Sequence, residues 1–207
     1  MTRRPQRTYN STRRQQQAGE TRQRILNAAR KRIIASGFAE ATIDAIAGEA
    51  EVSAQTVYAI FGSKRGIIEG LLECAAFGPE YKELVQKALA SDDPGERLRL
   101  AARIAAQIYA GTRQEQQLLH GANAITPDII REREGVRLER QKPTVDLIAK
   151  KNMLREGITA AQARDILWTM TGREPYRMLV VERGWSAERY VEWLGNTLVE
   201  MLLRSKK

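Results

Sequence analysis

Between Ile43 and Phe61 the chain meets, within nineteen residues, the requirements of two short helices crossing steeply around a tight turn. Ile46 is an inward apolar position, and Ala47 after it is small enough for a close crossing. Ala50 is a second small inward residue at the end of the first helix, and Val52 anchors the turn. Val57, Ile60 and Phe61 are spaced to pin the second helix from behind. Thr42 and Ser53 stand where side-chain N-caps belong, one ahead of each helix. An ordinary helical hairpin meets some of these conditions, but it leaves the neighbouring charge unexplained.

That charge is concentrated. Residues 1–32 hold ten Arg or Lys against the single acid Glu20, whereas the other 175 residues hold 24 basic and 24 acidic side chains. The whole net charge of +9 therefore sits at one end of a neutral body, which points to a polyanionic partner at that end. Residues 1–19 carry almost nothing apolar and are expected to be disordered when free. An idle solvated tail has the same composition. Beside a helix-turn-helix, however, Arg3, Arg4, Arg7, Arg13 and Arg14 suit the narrow minor groove of A·T-rich DNA.

The turn geometry assigns roles on the second helix. With Val57, Ile60 and Phe61 inward, 100° per residue places Gln55 and Ala59 on the opposite side, flanked by Thr56 and Tyr58. Glutamine can pair with both N6 and N7 of adenine in the major groove, and Ala59 adds no bulk to hold the helix away. Thr56 and Tyr58 are placed for phosphate oxygens, contacts that position without specifying. Lys64, opening the next helix, adds charge and helix-terminus hydrogen bonds. Thr42, Ser53 and Ala54 at the helix starts and Arg13, Arg14 and Arg22 ahead of the motif complete the DNA-contact candidates.

The rest of the chain reads as helix. Ile25, Leu26, Ala29 and Ile33 share one face of a helix that begins near Glu20 and stops at Gly37. Short helices follow at about 42–50, 53–61 and 64–77, and Pro79, Pro94, Pro127 and Pro143 punctuate later ones. Two long amphipathic helices, roughly 159–183 and 186–204, close the chain, with Gly184 between them and Ser186 as N-cap. No stretch alternates with period two, so no sheet is expected.

The runs Thr42-Ile43-Asp44-Ala45-Ile46-Ala47, Ala50-Glu51-Val52-Ser53 and Thr56-Val57-Tyr58-Ala59-Ile60-Phe61-Gly62-Ser63-Lys64 resemble the tetracycline-repressor (TetR) family over about residues 20–72. Two positions depart from the family's habit. Glu51 replaces the usual turn glycine, at a cost on the order of 1 kcal/mol, and Ile60 replaces the usual aromatic or histidine.

The resemblance implies an all-α protein: an N-terminal three-helix helix-turn-helix DNA-binding domain plus a larger helical ligand-binding and dimerisation domain. The corresponding divisions are a disordered basic arm over 1–19, the DNA-binding domain over 20–66 and the ligand-binding domain over 67–207, with the junction inside the 64–77 helix. It further implies a homodimeric repressor released from a palindromic double-stranded DNA operator by a small-molecule effector. A ligand-independent regulator, or a non-specific nucleic-acid binder driven by the basic arm, stays open.

For the dimer surface the last two helices offer Ile166, Met170, Leu179, Val180, Trp193, Leu194, Leu198, Met201 and Leu202, some of which must instead close the chain's own core. For the effector site the candidates are Phe77, Tyr109, His120, Asn123 and Trp168. No catalytic motif surrounds the lone His120 or Cys74, so no enzyme, cofactor or metal site is expected. A single cysteine, no apolar run of membrane-spanning length and no signal-peptide pattern point to the cytoplasm.

Overall fold

The computed structural model describes residues 9–77, 79–121 and 127–204, and these are all-α. No strand occurs among them; an isolated antiparallel bridge joins Leu154 and Leu203. The helices are α1 (Tyr9–Glu40), α2 (Ile43–Glu49), α3 (Ala54–Phe61), α4 (Lys64–Ala76), α5 (Pro79–Ala90), α6 (Pro94–Gly121), α7 (Pro127–Lys150), α8 (Ala160–Met170), α9 (Arg173–Tyr176) and α10 (Ala187–Leu202). Contacts divide the chain into two compact units. One is Met1–Leu72 with Gln116–Ile125; the other is Glu73–Glu115 with Thr126–Lys207. The boundaries fall inside α4 and α6.

In the first unit, α1 buries the expected stripe of Ile25, Leu26, Ala29 and Ile33, and Gly37 breaks it at φ 81°. Its start differs from expectation: α1 begins at Tyr9, so residues 9–19, read above as part of a disordered arm, are helical. This stretch is exposed on every side from Arg13 to Glu20 and buries no apolar face. What supports it locally is side-chain bonding one turn apart, Gln16 to Glu20 at 3.1 Å and, just beyond, Gln23 to Asn27 at 3.0 Å. Such a helix leaves no hydrophobic period to read. Residues 1–8, with Arg3, Arg4 and Arg7, lie outside the described residues.

The second unit is built around α6, whose Leu98, Ala102, Ala105, Ala106 and Tyr109 share a core with Val145 and Ile148 of α7 and Ala163 and Leu167 of α8. Tyr176, Tyr190, Leu194, Leu198 and Leu202 complete it. Each buried leucine contributes roughly 1.5–3 kcal/mol. Pro79, Pro94 and Pro127 are the first residues of α5, α6 and α7, where a missing N–H costs nothing. Pro143 differs, lying inside α7 without ending it. Its carbonyl accepts from Arg97, a buried guanidinium that also bonds the carbonyls of Ser91 and Leu89.

The closing pair of helices is more broken than its amphipathic pattern suggested. Thr159 caps α8 in a reciprocal box with Gln162, but α8 ends at Met170 rather than continuing to 183. Gly172 interrupts it, α9 restarts the chain, and Arg177–Glu182 follows as a π-helical turn. Pro175 falls in the first turn of α9, where its missing N–H costs nothing, so a restart just before it suits the sequence. Gly184, at φ 69°, and Ser186, whose hydroxyl accepts from the Arg189 N–H at 3.2 Å, launch α10 as expected.

Candidate functional site

Two side-chain caps set the starts of α2 and α3. The Thr42 hydroxyl accepts from the Ala45 N–H at 3.1 Å, and the Ser53 hydroxyl from the Thr56 N–H at 3.1 Å. Each satisfies a donor that the first helical turn would otherwise leave bare, for about 1 kcal/mol. Between them the turn closes on backbone alone: Glu51 N–H to Gly48 carbonyl at 3.2 Å, Val52 N–H to Ala47 carbonyl at 3.0 Å. Glu51 sits at φ 53°, a left-handed conformation that glycine adopts freely and glutamate does not.

Behind α3, Val57 is fully buried and Phe61 half-buried, one helical turn apart. Ile60 was expected beside them but is exposed at 36%. Val57 and Phe61 already fill the inward stripe, and residue 60 falls at its edge. Two glycines of α4, which the motif reading passed over, receive the end of α3. A Cβ on Gly66 would run into the Phe61 backbone carbonyl, and one on Gly70 would stand 2.9 Å from the Phe61 ring. Paired glycines one turn apart, following a helix-turn-helix, were a legible signal of close approach.

The outer face of α3 then carries Gln55, Tyr58 and Ala59, all exposed, Tyr58 at 53%. Ala54 and Thr56 are half-buried, and the Thr56 hydroxyl lies 2.8 Å from that of Ser53. Thr42 and Ser53 are exposed at the helix starts, and Arg13 and Arg14 on α1. Arg22 and Lys64 are engaged within the unit. The Arg22 guanidinium covers the Phe61 ring at 5.3 Å. The Lys64 ammonium donates to the Ala39 carbonyl at 3.0 Å and lies 4.2 Å from the centre of the Phe38 ring; burial lowers its pKa. On the α1–α2 side, Glu49 takes Lys31 at 2.5 Å and Arg32 at 3.3 Å, and the Lys31 hydrogen bond holds its carboxyl below the usual range.

In the second unit two of the effector candidates, Phe77 and Trp168, lie against α7. Arg133, Arg137 and Arg140 follow at helical spacing, and the guanidinium groups of Arg137 and Arg140 each lie over an aromatic ring. Arg140 lies 5.1 Å from the centre of Phe77, which also packs on Tyr81 at 4.5 Å. Arg137 lies 5.1 Å from the centre of Trp168, whose indole N–H donates to the Glu134 carbonyl at 3.2 Å. Arg133 and Arg137 both act electrostatically on Tyr109, which is buried. The side chain of His120 and all of Asn123 lie outside the described residues. The arginines, with Tyr176 and Tyr190, were missed from the sequence because only the packing of α6, α7, α9 and α10 assembles them.

The nominated dimer residues divide. Leu194, Leu198 and Leu202 are fully buried in the chain's own core, whereas Ile166, Met170, Leu179, Val180, Trp193 and Met201 are partly buried against it. Met178 and Val181 of the π-helical turn are exposed at 52% and 40%.

Residues 25–71 match the profile of the bacterial regulatory proteins of the tetR family. No curated protein matches the chain by sequence. Among solved structures, the chain is similar to NalD of Pseudomonas aeruginosa, the secondary repressor of the MexAB-OprM multidrug efflux pump. The identity is 19% and the TM-score 0.65, over 92% of this chain and 100% of that one. FadR of Bacillus subtilis, in complex with stearoyl-CoA, aligns at 16% identity and TM-score 0.61 over 86% and 98% of the two chains. SmeT bound to triclosan aligns at 17% and 0.63 over 89% and 92%.

Proposed function

We propose that this chain, whose residues 25–71 match the profile of the bacterial regulatory proteins of the tetR family, is a non-enzymatic transcriptional regulator, a homodimeric repressor that leaves a palindromic operator when a small molecule binds its second unit. The observation that carries the reading is the outer face of α3. Gln55, Tyr58 and Ala59 are exposed together on a helix capped by Ser53 and seated from behind by Val57 and Phe61. A helix so fixed presents one glutamine for base contact and a phenol for phosphate. The basic α1, with Arg13 and Arg14 exposed ahead of the motif, adds attraction for the backbone of double-stranded DNA.

Pairing with a second copy is supported by the apolar groups left near the surface of the closing helices. Met178 and Val181 are exposed, and Trp185, Trp193 and Met201 are only partly covered. A two-fold dimer reads two half-sites about 34–36 Å apart or a multiple of that. Release by a small molecule is supported by the ligand-bound relatives of the same fold, FadR with stearoyl-CoA and SmeT with triclosan. No helix among the described residues is long and apolar enough to cross a membrane, which agrees with a protein working on cytoplasmic DNA.

The test is selection of binding sites from a random duplex-DNA pool at near-physiological salt. Convergence on an inverted repeat is the expected result. Binding that never converges and merely fades as salt rises would reduce the protein to a non-specific polyanion binder and refute the proposal.

A further inference from the structure

Residues 13–20 of α1 take no part in the core of their unit. Every side chain among them is exposed, and Ile25 is the first buried residue of the helix among those described. The helix nevertheless begins at Tyr9, so about 18 Å of it precedes Thr21. Residues 13–19 include two arginines, three glutamines and no acid. Without an apolar stripe they have nothing to lay on a lipid surface or in the groove of another protein. Their positive charge and amide donors fit a polyanion.

The packing of α1 on the helix-turn-helix sets the side from which this stretch leaves. Lys31 and Arg32 bind Glu49 at the end of α2, Arg24 shares a cleft with Glu49 and Glu51 of the turn, and Arg22 lies on Phe61, the last residue of α3. Going back from Arg32, α1 thus passes from α2 to α3 and then stands exposed. Arg13 lies about three helical turns ahead of Arg24 and so shares its side of α1, the side that meets the turn before α3. Helicity also decides the groove. An α-helix with its side chains is about 10–12 Å across, whereas the minor groove is about 6 Å wide. An extended arm can follow that groove, as the composition suggested for Arg13 and Arg14; a helix cannot enter it, and its arginines meet the phosphate ridges instead.

We propose that residues 9–19 of α1 are a clamp on duplex DNA flanking the operator, laid across the phosphate backbone outside the half-site that α3 reads, with Arg13 and Arg14 as its phosphate contacts. The clamp rests on the regulator reading above and adds to it a length of bound duplex that α3 never touches. At about 3.4 Å per base pair, the free length of α1 spans about five base pairs. Phosphate contacts carry affinity and position but no sequence information, so the bound site is longer than the sequence-specific one.

The test uses duplexes carrying the selected inverted repeat, cut flush at its ends or extended by about three, six and twelve base pairs of unrelated sequence. With the full-length protein at near-physiological salt, fluorescence anisotropy should show affinity rising about fivefold or more up to about six base pairs of flank and then levelling. Hydroxyl-radical protection should reach about five base pairs past the repeat. Arg13→Ala combined with Arg14→Ala should bind flush and extended duplexes alike. Arg103→Ala combined with Arg131→Ala, which removes the same charge from exposed positions of the second unit, should retain the parent's flank dependence. Gln16→Pro, which breaks the helix without altering charge, should shorten the protected flank.

Equal affinity of the unmodified protein for flush and extended duplexes overturns the clamp. So does an equal loss of flank dependence in the two double variants, which would mark long-range charge in place of contact, or a protected flank that Gln16→Pro leaves at full length. A pool that never converges on a repeat overturns the regulator reading and the clamp with it. A converged repeat without flank dependence overturns the clamp alone.

Discussion

The seating of α3 on α4 can be tested with one methyl group placed twice. At Gly66 an added Cβ would overlap the Phe61 backbone carbonyl, an atom that cannot swing aside as a flexible side chain could. Overpacking of this kind costs about 1–3 kcal/mol, here toward the upper end. The better helix propensity of alanine returns at most about 1 kcal/mol. Gly66→Ala should therefore destabilise by about 1–2 kcal/mol, lowering the melting temperature by roughly 2–8 °C in a chain of this size. Because the carbonyl belongs to the last residue of α3, relief of the overlap must shift α3 itself, and operator affinity should fall with it.

Gly48, inside α2 with nothing within 4 Å of its would-be Cβ, is the matched control. Gly48→Ala gains the propensity term alone and should stabilise by up to about 1 kcal/mol. Thermal unfolding of the two variants, with fluorescence anisotropy on a selected operator, measures both effects. A Gly66→Ala protein that melts and binds like the parent would refute the reasoning, as would two variants that shift in the same direction.

Three further outcomes follow from the same unit. Gln55→Ala should relax preference at one base position and cost about 1–3 kcal/mol, whereas Tyr58→Phe should weaken all sites alike; binding-site selection with each variant separates the two roles. Replacing Arg13 and Arg14 together by alanine should leave sequence preference intact and flatten the salt dependence of log affinity by about two units, read from titrations at several salt concentrations. Glu51→Gly should stabilise by up to about 1 kcal/mol, since φ 53° is free to glycine and strained for glutamate; an unchanged or lowered melting temperature would count against the strain.

The helix-turn-helix was legible because its constraints are local. The caps at Thr42 and Ser53, the small residues Ala47 and Ala50 and the left-handed turn at Glu51 all act within a few residues, and all stand where the sequence placed them. Ile60 escaped because the inward stripe of α3 closes on Val57 and Phe61, an outcome decided by packing rather than spacing. The beginning of α1 escaped because a helix polar on every side has no period. The break in the closing helices was readable in principle from Gly172 and Pro175, but a strong amphipathic pattern across 159–183 masked it. Beyond local reach lay the arginine face of α7 and the core tyrosines Tyr109, Tyr176 and Tyr190, which come from four helices brought together only by tertiary packing.

The division of the chain also bears on how the protein is made. The unit that contains α2 and α3 does not end where α4 leaves it at Leu72; it takes in the chain from Gln116, with Leu119 fully buried. A fragment cut after residue 72 would therefore lack part of this unit, Leu119 included. During synthesis this unit is complete only once the end of α6 has left the ribosome, well after its helix-turn-helix has emerged.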